Sequence, residues 1–130
     1  MGALKIEGLP ERALLLMDSA PIIYVLERHA ELALRFRPLF EAHAQERVRL
    51  AISTITIAEV LTGPLRSGDE ALERRYRAVF ETWQQVPLDF AIAESAARLR
   101  ASLRLKLPDA IQAASALAIN ADALVTHDRD

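Results

Sequence analysis

The chain has 130 residues, of which 52% are hydrophobic and 26% are charged, so its composition predicts one globular domain and excludes an intrinsically disordered chain. It contains no cysteine, which excludes disulfides, thiolate zinc sites and a cysteine nucleophile and is compatible with a reducing cytoplasm. The net charge of −2 does not by itself indicate nucleic-acid binding, and no apolar run approaches the roughly 18 residues that cross a bilayer.

The first half of the chain predicts two strands and three helices. In chain order these are a strand at 13–17, helices at 21–28 and 31–45, a strand at 48–52 and a helix that stops near Gly63-Pro64. The first strand is a continuous apolar run, which is typical of a strand buried on both faces. Pro38 lies inside the second helix and is expected to kink or split it. Ser53 or Thr54 is expected to cap the third helix.

The second half continues the alternation of helices and strands. Ser67-Gly68-Asp69 opens a helix, and Val86-Pro87-Leu88 is a candidate short strand. Helices are predicted at 90–105 and 108–120, followed by a last strand at 123–126. Because strands alternate with helices, we expect an α/β fold in which a parallel sheet is covered on both faces.

Four carboxylates stand beside apolar runs at widely separated points of the chain. They are Asp18, Glu59, Asp109 and Asp128. An isolated carboxylate is rarely kept next to a core, because leaving water is costly without a partner. Several carboxylates brought together repel one another, and a hard divalent cation relieves that repulsion. The pattern therefore predicts a shared cation site.

The fold class indicates where these acids lie. Ligands of parallel α/β sheets bind beyond the carboxyl ends of the strands, and Asp18 and Asp128 directly follow the first and last strands. Glu59 follows the second strand by about one and a half helical turns. Asp109 opens the helix that feeds the last strand, and we expect that helix to begin at the opposite edge unless it forms a hairpin with the helix before it. The sequence pattern alone therefore leaves the position of Asp109 open.

Each acid also has a structural interpretation. Asp109 and Gln112 fit a capping box, Asp18 fits a helix cap, and Asp128 fits a polar turn. Glu59 is harder to explain in this way, because it lies among apolar residues with no evident partner. One shared site accounts for all four acids together.

Four segments, one around each acid, together resemble a known family. They are Leu16-Met17-Asp18-Ser19, residues 52–61, residues 107–114 and residues 124–130. In this order and spacing they resemble the PIN-domain ribonucleases, and more narrowly the toxin half of VapBC toxin–antitoxin modules. The resemblance implies a three-layer α/β/α fold with a central parallel sheet of four to five short strands. It also implies that the acids converge.

The resemblance further implies a ribonuclease site that uses Mg²⁺ or Mn²⁺. The residues that match the family's acids are Asp18, Glu59, Asp109 and Asp128. Of these, Asp18 and Asp109 are expected to be the principal metal ligands, and the other two to complete the shell, hold water or bind a second ion. Thr126 matches a supporting hydroxyl that would orient a carboxylate or a water, and Ser19 is a second such candidate.

The family also implies partners and boundaries. We expect an RNA substrate, a cognate VapB-type antitoxin whose peptide covers the acidic cleft, a homodimer and a cytoplasmic location. Residues 1–12 are expected to be an N-terminal extension and residues 13–130 the PIN domain. Family members usually continue into a last short strand at this point, so we expect that strand to be truncated after Asp130. Ala20 stands where the family commonly has a small polar residue, which would remove one supporting hydrogen bond.

Two other functions compete with this interpretation. The first is a non-catalytic PIN-fold protein that binds RNA or a partner without cutting. The second is a receiver-type or phosphatase-like domain with Asp18 as nucleophile, but the chain lacks an aspartate two residues after Asp18. Two groups of basic residues, within 74–77 and 98–106, fit either phosphate contacts or ordinary solvated helix faces.

Overall fold

The computed structural model describes residues 8–127 of the chain. Within that range the strands are β1 (Ala13–Met17), β2 (Val48–Ser53), β3 (Gln84–Val86) and β4 (Ala123–Val125). The helices are α1 (Ser19–Leu26), α2 (Leu32–Ala44), α3 (Thr54–Ser67), α4 (Glu70–Phe80), α5 (Phe90–Leu103) and α6 (Leu107–Ala118). The predictions made for Asp128, for the chain end and for the first seven residues lie outside the described residues.

The four described strands form one parallel sheet in the order β3-β2-β1-β4. In the central pair, β1 runs beside β2 with Leu15 opposite Leu50. On its other side β1 pairs with β4, so that Met17 lies opposite Val125. The predicted α/β class and parallel sheet are confirmed.

Alternate residues of β1 enter two separate hydrophobic cores, as the two-residue period of a strand requires. Leu15 and Met17 pack with residues of α1, α2, α3 and α4, which cover one face of the sheet. Leu14 and Leu16 pack with residues of α5 and α6 on the other face. The sheet is thus the middle of three layers, and the continuous apolar run of β1 reflects burial on both faces. No helix within residues 8–127 combines the length and apolarity that a membrane span requires.

Prolines affect three elements, and at two of them the structure differs from the predictions. The third strand ends at Val86, before Pro87, because proline has no N–H for a strand ladder. Pro38 lies inside α2, which is one continuous helix and is not split. Pro64 lies inside α3, which continues to Ser67 and ends where Gly68 adopts φ of 74°. The helix stop predicted at Gly63-Pro64 is therefore wrong.

Candidate active site

The candidate site lies where the order of the sheet reverses. The chain passes from β1 to β2 on one side, whereas β4 joins β1 from the other side, so the switch point lies between β1 and β4. Asp18 follows β1 and Thr126 follows β4, and the Asp18 N–H donates to the Val125 carbonyl over 2.9 Å. These residues therefore stand at the carboxyl edge, where ligands of such sheets bind.

Three donors hold the Asp18 carboxylate. Its Oδ1 accepts from the Ser19 N–H at 2.8 Å and from Gln112 Nε2 at 2.9 Å. Its Oδ2 accepts from the Thr126 hydroxyl at 3.0 Å. Asp18 thus caps α1, as the structural interpretation expected, and it is also tied to β4 and α6. The Thr126 contact is of the kind predicted for a supporting hydroxyl, whereas Ser19 contributes its backbone N–H.

The pKa of the Glu59 carboxyl is affected by two of the other predicted acids. Partial burial raises the pKa of the Glu59 carboxyl above its ordinary value, and the charges of Asp18 and Asp109 raise that pKa further. Asp18, at the end of β1, and Asp109, on α6, therefore lie within electrostatic reach of Glu59 on α3.

The donor chemistry of these three residues fits a hard divalent cation, since all are carboxylates and no thiol is involved. Within residues 8–127, however, no group of three or more acidic or histidine side chains converges tightly enough to hold a metal ion as arranged. Glu59 and Asp109 are both exposed, so no packed core opposes movement of their side chains. Asp128, the fourth predicted acid, lies beyond the described residues.

The starting point of α6 corrects one expectation. Gln112, in the second turn of α6, contacts Asp18 and Ser53 at the carboxyl ends of β1 and β2. The helix then leads to Asp122, whose carboxylate accepts from the Leu14 N–H at the start of β1. A helix directly before a parallel strand must end at the amino edge, so α6 begins at the carboxyl edge. The sequence had placed α6 at the opposite edge unless it formed a hairpin with the helix before it. It begins at the carboxyl edge instead, and Asp109 in its first turn lies at that edge, as the family resemblance implied.

The predicted capping box of Asp109 and Gln112 is also wrong. The residue at the N-cap of α6 is Lys106, which makes no side-chain cap bond, and Asp109 lies in the first turn. The Gln112 amide instead turns into the protein and bonds to Asp18 and Thr56. Asp109 still carries its charge near the positive end of the helix.

Sequence reasoning missed the supporting role of three polar residues, of which it named Ser53 only as a helix cap and Gln112 only in a capping box. Ser53, Thr56 and Gln112 are 1%, 0% and 3% exposed, and they hydrogen-bond to one another beneath Asp18. A polar side chain inside an apolar run could have indicated these buried residues from the sequence. Thr56 lies between two isoleucines, and Gln112 lies between an isoleucine and an alanine. Buried polar groups need partners, and here the partners are one another.

The raised pKa of Glu59 predicts a pH-dependent stability difference. A carboxyl whose pKa is higher in the folded state stabilises folding below its ordinary pKa, and this contribution is lost as pH rises through the folded pKa. Without divalent cations, Glu59→Gln should therefore melt at a higher temperature than the original chain at pH 7. The two should melt alike near pH 4, below the ordinary carboxyl pKa. Glu11→Gln removes one charge outside the site as a control, and an equal gain at pH 7 from that change would contradict the explanation.

The fold and the site together define a three-layer α/β domain with carboxylates gathered at the switch point of its sheet. A family model described as the PIN domain matches residues 15–130, and the chain belongs to that family. PIN domains are generally nucleases. A search of curated protein sequences finds no significant match.

Solved structures with the same fold include chains of toxin–antitoxin complexes. A toxin–antitoxin complex from Klebsiella pneumoniae matches with 29% identity and a TM-score of 0.70, covering 88% of each chain. VapBC2 from Rickettsia felis, bound to a promoter DNA fragment, matches with 20% identity and a TM-score of 0.72, covering 88% of this chain and 87% of that one. VapBC-1 from nontypeable Haemophilus influenzae matches with 24% identity and a TM-score of 0.66, with the same coverage. The family resemblance seen in the sequence is confirmed.

Proposed function

We propose that this protein is a metal-dependent endoribonuclease that acts as the toxin of a type II toxin–antitoxin system. The observation that carries the proposal is the position of Asp18 at the switch point of a PIN domain, where Ser19, Gln112 and Thr126 hold its carboxylate. In support, partial burial and the charges of Asp18 and Asp109 raise the pKa of Glu59. Repulsion of this kind is what a bound divalent cation relieves. The similarity to a chain of a toxin–antitoxin complex from Klebsiella pneumoniae supports the toxin role.

The role of Asp18 follows from how firmly its carboxylate is held. It is fixed by three donors and is the principal ligand, with Asp109 of α6 as the second. Glu59 and Asp128 complete the shell or hold a water. Thr126 keeps the Asp18 carboxylate in place. When bound, Mg²⁺ or Mn²⁺ supplies Lewis-acid charge that lowers the pKa of water and neutralises phosphate oxygens.

The proposed partners are a phosphodiester of RNA, a cognate VapB-type antitoxin and a second copy of the chain, all in the cytoplasm. An antitoxin segment over the acidic edge would restrain the nuclease by covering its ligands. The support for the antitoxin is that similar solved structures are toxin–antitoxin complexes.

Cation dependence tests the function directly. Purified protein incubated with a panel of structured RNAs should cut with Mg²⁺ or Mn²⁺, and an excess of chelator should stop the cutting. Gel analysis and sequencing of the new RNA ends measure both results. Cleavage that persists in chelator would contradict the metal role. Binding of RNA across the panel with no cutting in either cation would favour the non-catalytic alternative.

A further inference from the structure

Three buried side chains form a closed ring of hydrogen bonds beneath the acidic site. The Ser53 hydroxyl lies 3.2 Å from Gln112 Oε1, Gln112 Nε2 lies 2.6 Å from Thr56 Oγ1, and the two hydroxyl oxygens lie 3.1 Å apart. Within residues 8–127 no buried side-chain nitrogen or oxygen lacks a partner. The ring is therefore fully satisfied without exposure to solvent.

The proton count gives each bond in the ring a direction. The single Ser53 hydroxyl proton goes to Gln112 Oε1, while Ser53 Oγ accepts from the Thr56 N–H over 3.3 Å. The Thr56 hydroxyl proton must then go to Ser53 Oγ, because the single Ser53 proton is already donated to Gln112. One N–H of the Gln112 amide remains, and it donates to Asp18 Oδ1.

The Asp18 carboxylate fixes the orientation of the Gln112 amide. A flipped amide would place its carbonyl oxygen against Asp18 Oδ1, so that two acceptors would face each other where the N–H now donates over 2.9 Å. Loss of that hydrogen bond is costly in a buried network. Asp18 therefore always meets an N–H donor from Gln112.

The two oxygens of Asp18 are thereby made unequal. Each carboxylate oxygen has about two acceptor positions. Oδ1 uses both, for Ser19 and Gln112. Among the described residues, Oδ2 accepts from Thr126 alone, which leaves one position open.

The ring also spaces the helices that carry the other acids. Glu59 comes three residues after Thr56 on α3, and Asp109 comes three residues before Gln112 on α6. Residues three apart lie on the same side of a helix. A bond between Thr56 and Gln112 thus sets how far apart the two exposed carboxylates stand.

We propose that Gln112 is a positioning residue, which commits Oδ1 of Asp18 to the protein and presents Oδ2 to the cation. The inference rests on the proposed function. Gln112 is only 3% exposed and is too buried to reach a bound RNA, so it acts through Asp18 and through the spacing of α3 and α6.

The test measures cation affinity of the full chain as well as cleavage. Gln112→Met keeps a similar side-chain volume and removes the amide. Loss of a residue that orients a metal ligand typically weakens metal binding about 10-fold to 100-fold. We expect a change of that size in the Kd for Mn²⁺ by titration calorimetry. At a fixed Mn²⁺ concentration, kcat should fall while KM for RNA stays unchanged.

A matched control separates positioning from general loss of stability. Gln85 bonds through its amide to the Phe80 carbonyl and contacts none of the acids. Gln85→Met should leave the Mn²⁺ Kd unchanged. If Gln112→Met fails to fold in a melting experiment, Ser53→Ala carries the test. It keeps the Gln112 amide but removes the hydroxyl that holds Gln112 Oε1, so a several-fold loss of Mn²⁺ affinity is expected.

The possible results distinguish failure of the positioning role of Gln112 from failure of the proposed nuclease function. A wild-type chain that binds Mn²⁺ and cuts RNA, beside a Gln112→Met chain with the same Kd, would overturn the positioning role alone. Equal losses in Gln112→Met and Gln85→Met would overturn it as well. A wild-type chain that binds no Mn²⁺ and cuts no RNA would overturn the proposed function, and the inference with it.

Discussion

Asp18→Asn is expected to abolish cation-dependent RNA cleavage while the fold remains intact. The substitution removes the charge of the proposed principal ligand but preserves its shape. A bound cation supplies several kcal/mol of transition-state stabilisation, and about 1.4 kcal/mol corresponds to a tenfold change in rate. We therefore expect kcat/KM to fall by at least about a thousandfold, measured on the RNA that the unchanged chain cuts fastest.

The fold should survive because asparagine can replace the structural contacts of Asp18. Its carbonyl oxygen can accept from Ser19 and Gln112, and the Thr126 hydroxyl can rotate to accept from its amide. Asparagine is also as good a helix cap as aspartate. Asp69→Asn is the matched control, because Asp69 caps α4 outside the site. Cleavage by Asp18→Asn at the original rate would contradict the assignment of roles.

Leu16→Ala is expected to have the largest effect on stability. Leu16 is 0% exposed in the central strand β1, and its side chain lies in the core beneath α5 and α6. Truncation of a buried leucine costs about 2–5 kcal/mol, because the protein fills the resulting cavity only in part. That is a large share of the roughly 5–15 kcal/mol by which a domain is stable. Denaturant unfolding should show a lower midpoint with an unchanged slope.

Leu117→Ala provides the same chemical change at the surface. Leu117 lies on α6 and is 65% exposed, so its truncation removes little packed surface. We expect its free energy of unfolding to stay within about 0.5 kcal/mol of the unchanged chain. If the two alanine variants unfold at the same denaturant concentration, Leu16 does not occupy the core described above.

The strands show how far local pattern determines structure. The run at 13–17 was predicted with its observed bounds, because five apolar residues in sequence are typical of a strand between two helical layers. The third strand was placed two residues too late, since Val86 and Leu88 are apolar on either side of a proline. Pairing with β2 is available to Gln84 and Gln85 but not to Pro87, and the strand ends accordingly.

Helix ends were predicted well at caps and poorly at prolines. Ser53 and Asp69 cap α3 and α4, and both had been singled out in the sequence. Pro64 was expected to end its helix and does not, and Pro38, which was expected to kink or split α2, does not split it. Each of these helices buries an apolar side against the sheet, and that packing outweighs the loss of one backbone bond.

The amino-acid sequence by itself determined the fold class, the family and the candidate acids. Hydrophobic periodicity and a carboxylate beside an apolar run are local properties, so they can be identified from residues that are adjacent in the chain. Tertiary structure decided the direction of α6, the approach of Glu59 to Asp18 and Asp109, and the use of Gln112 as a partner of Asp18. These depend on contacts between residues far apart in the chain, 94 positions in the case of Gln112 and Asp18. No local pattern encodes such a contact, since it forms only when the sheet order has brought the two elements together.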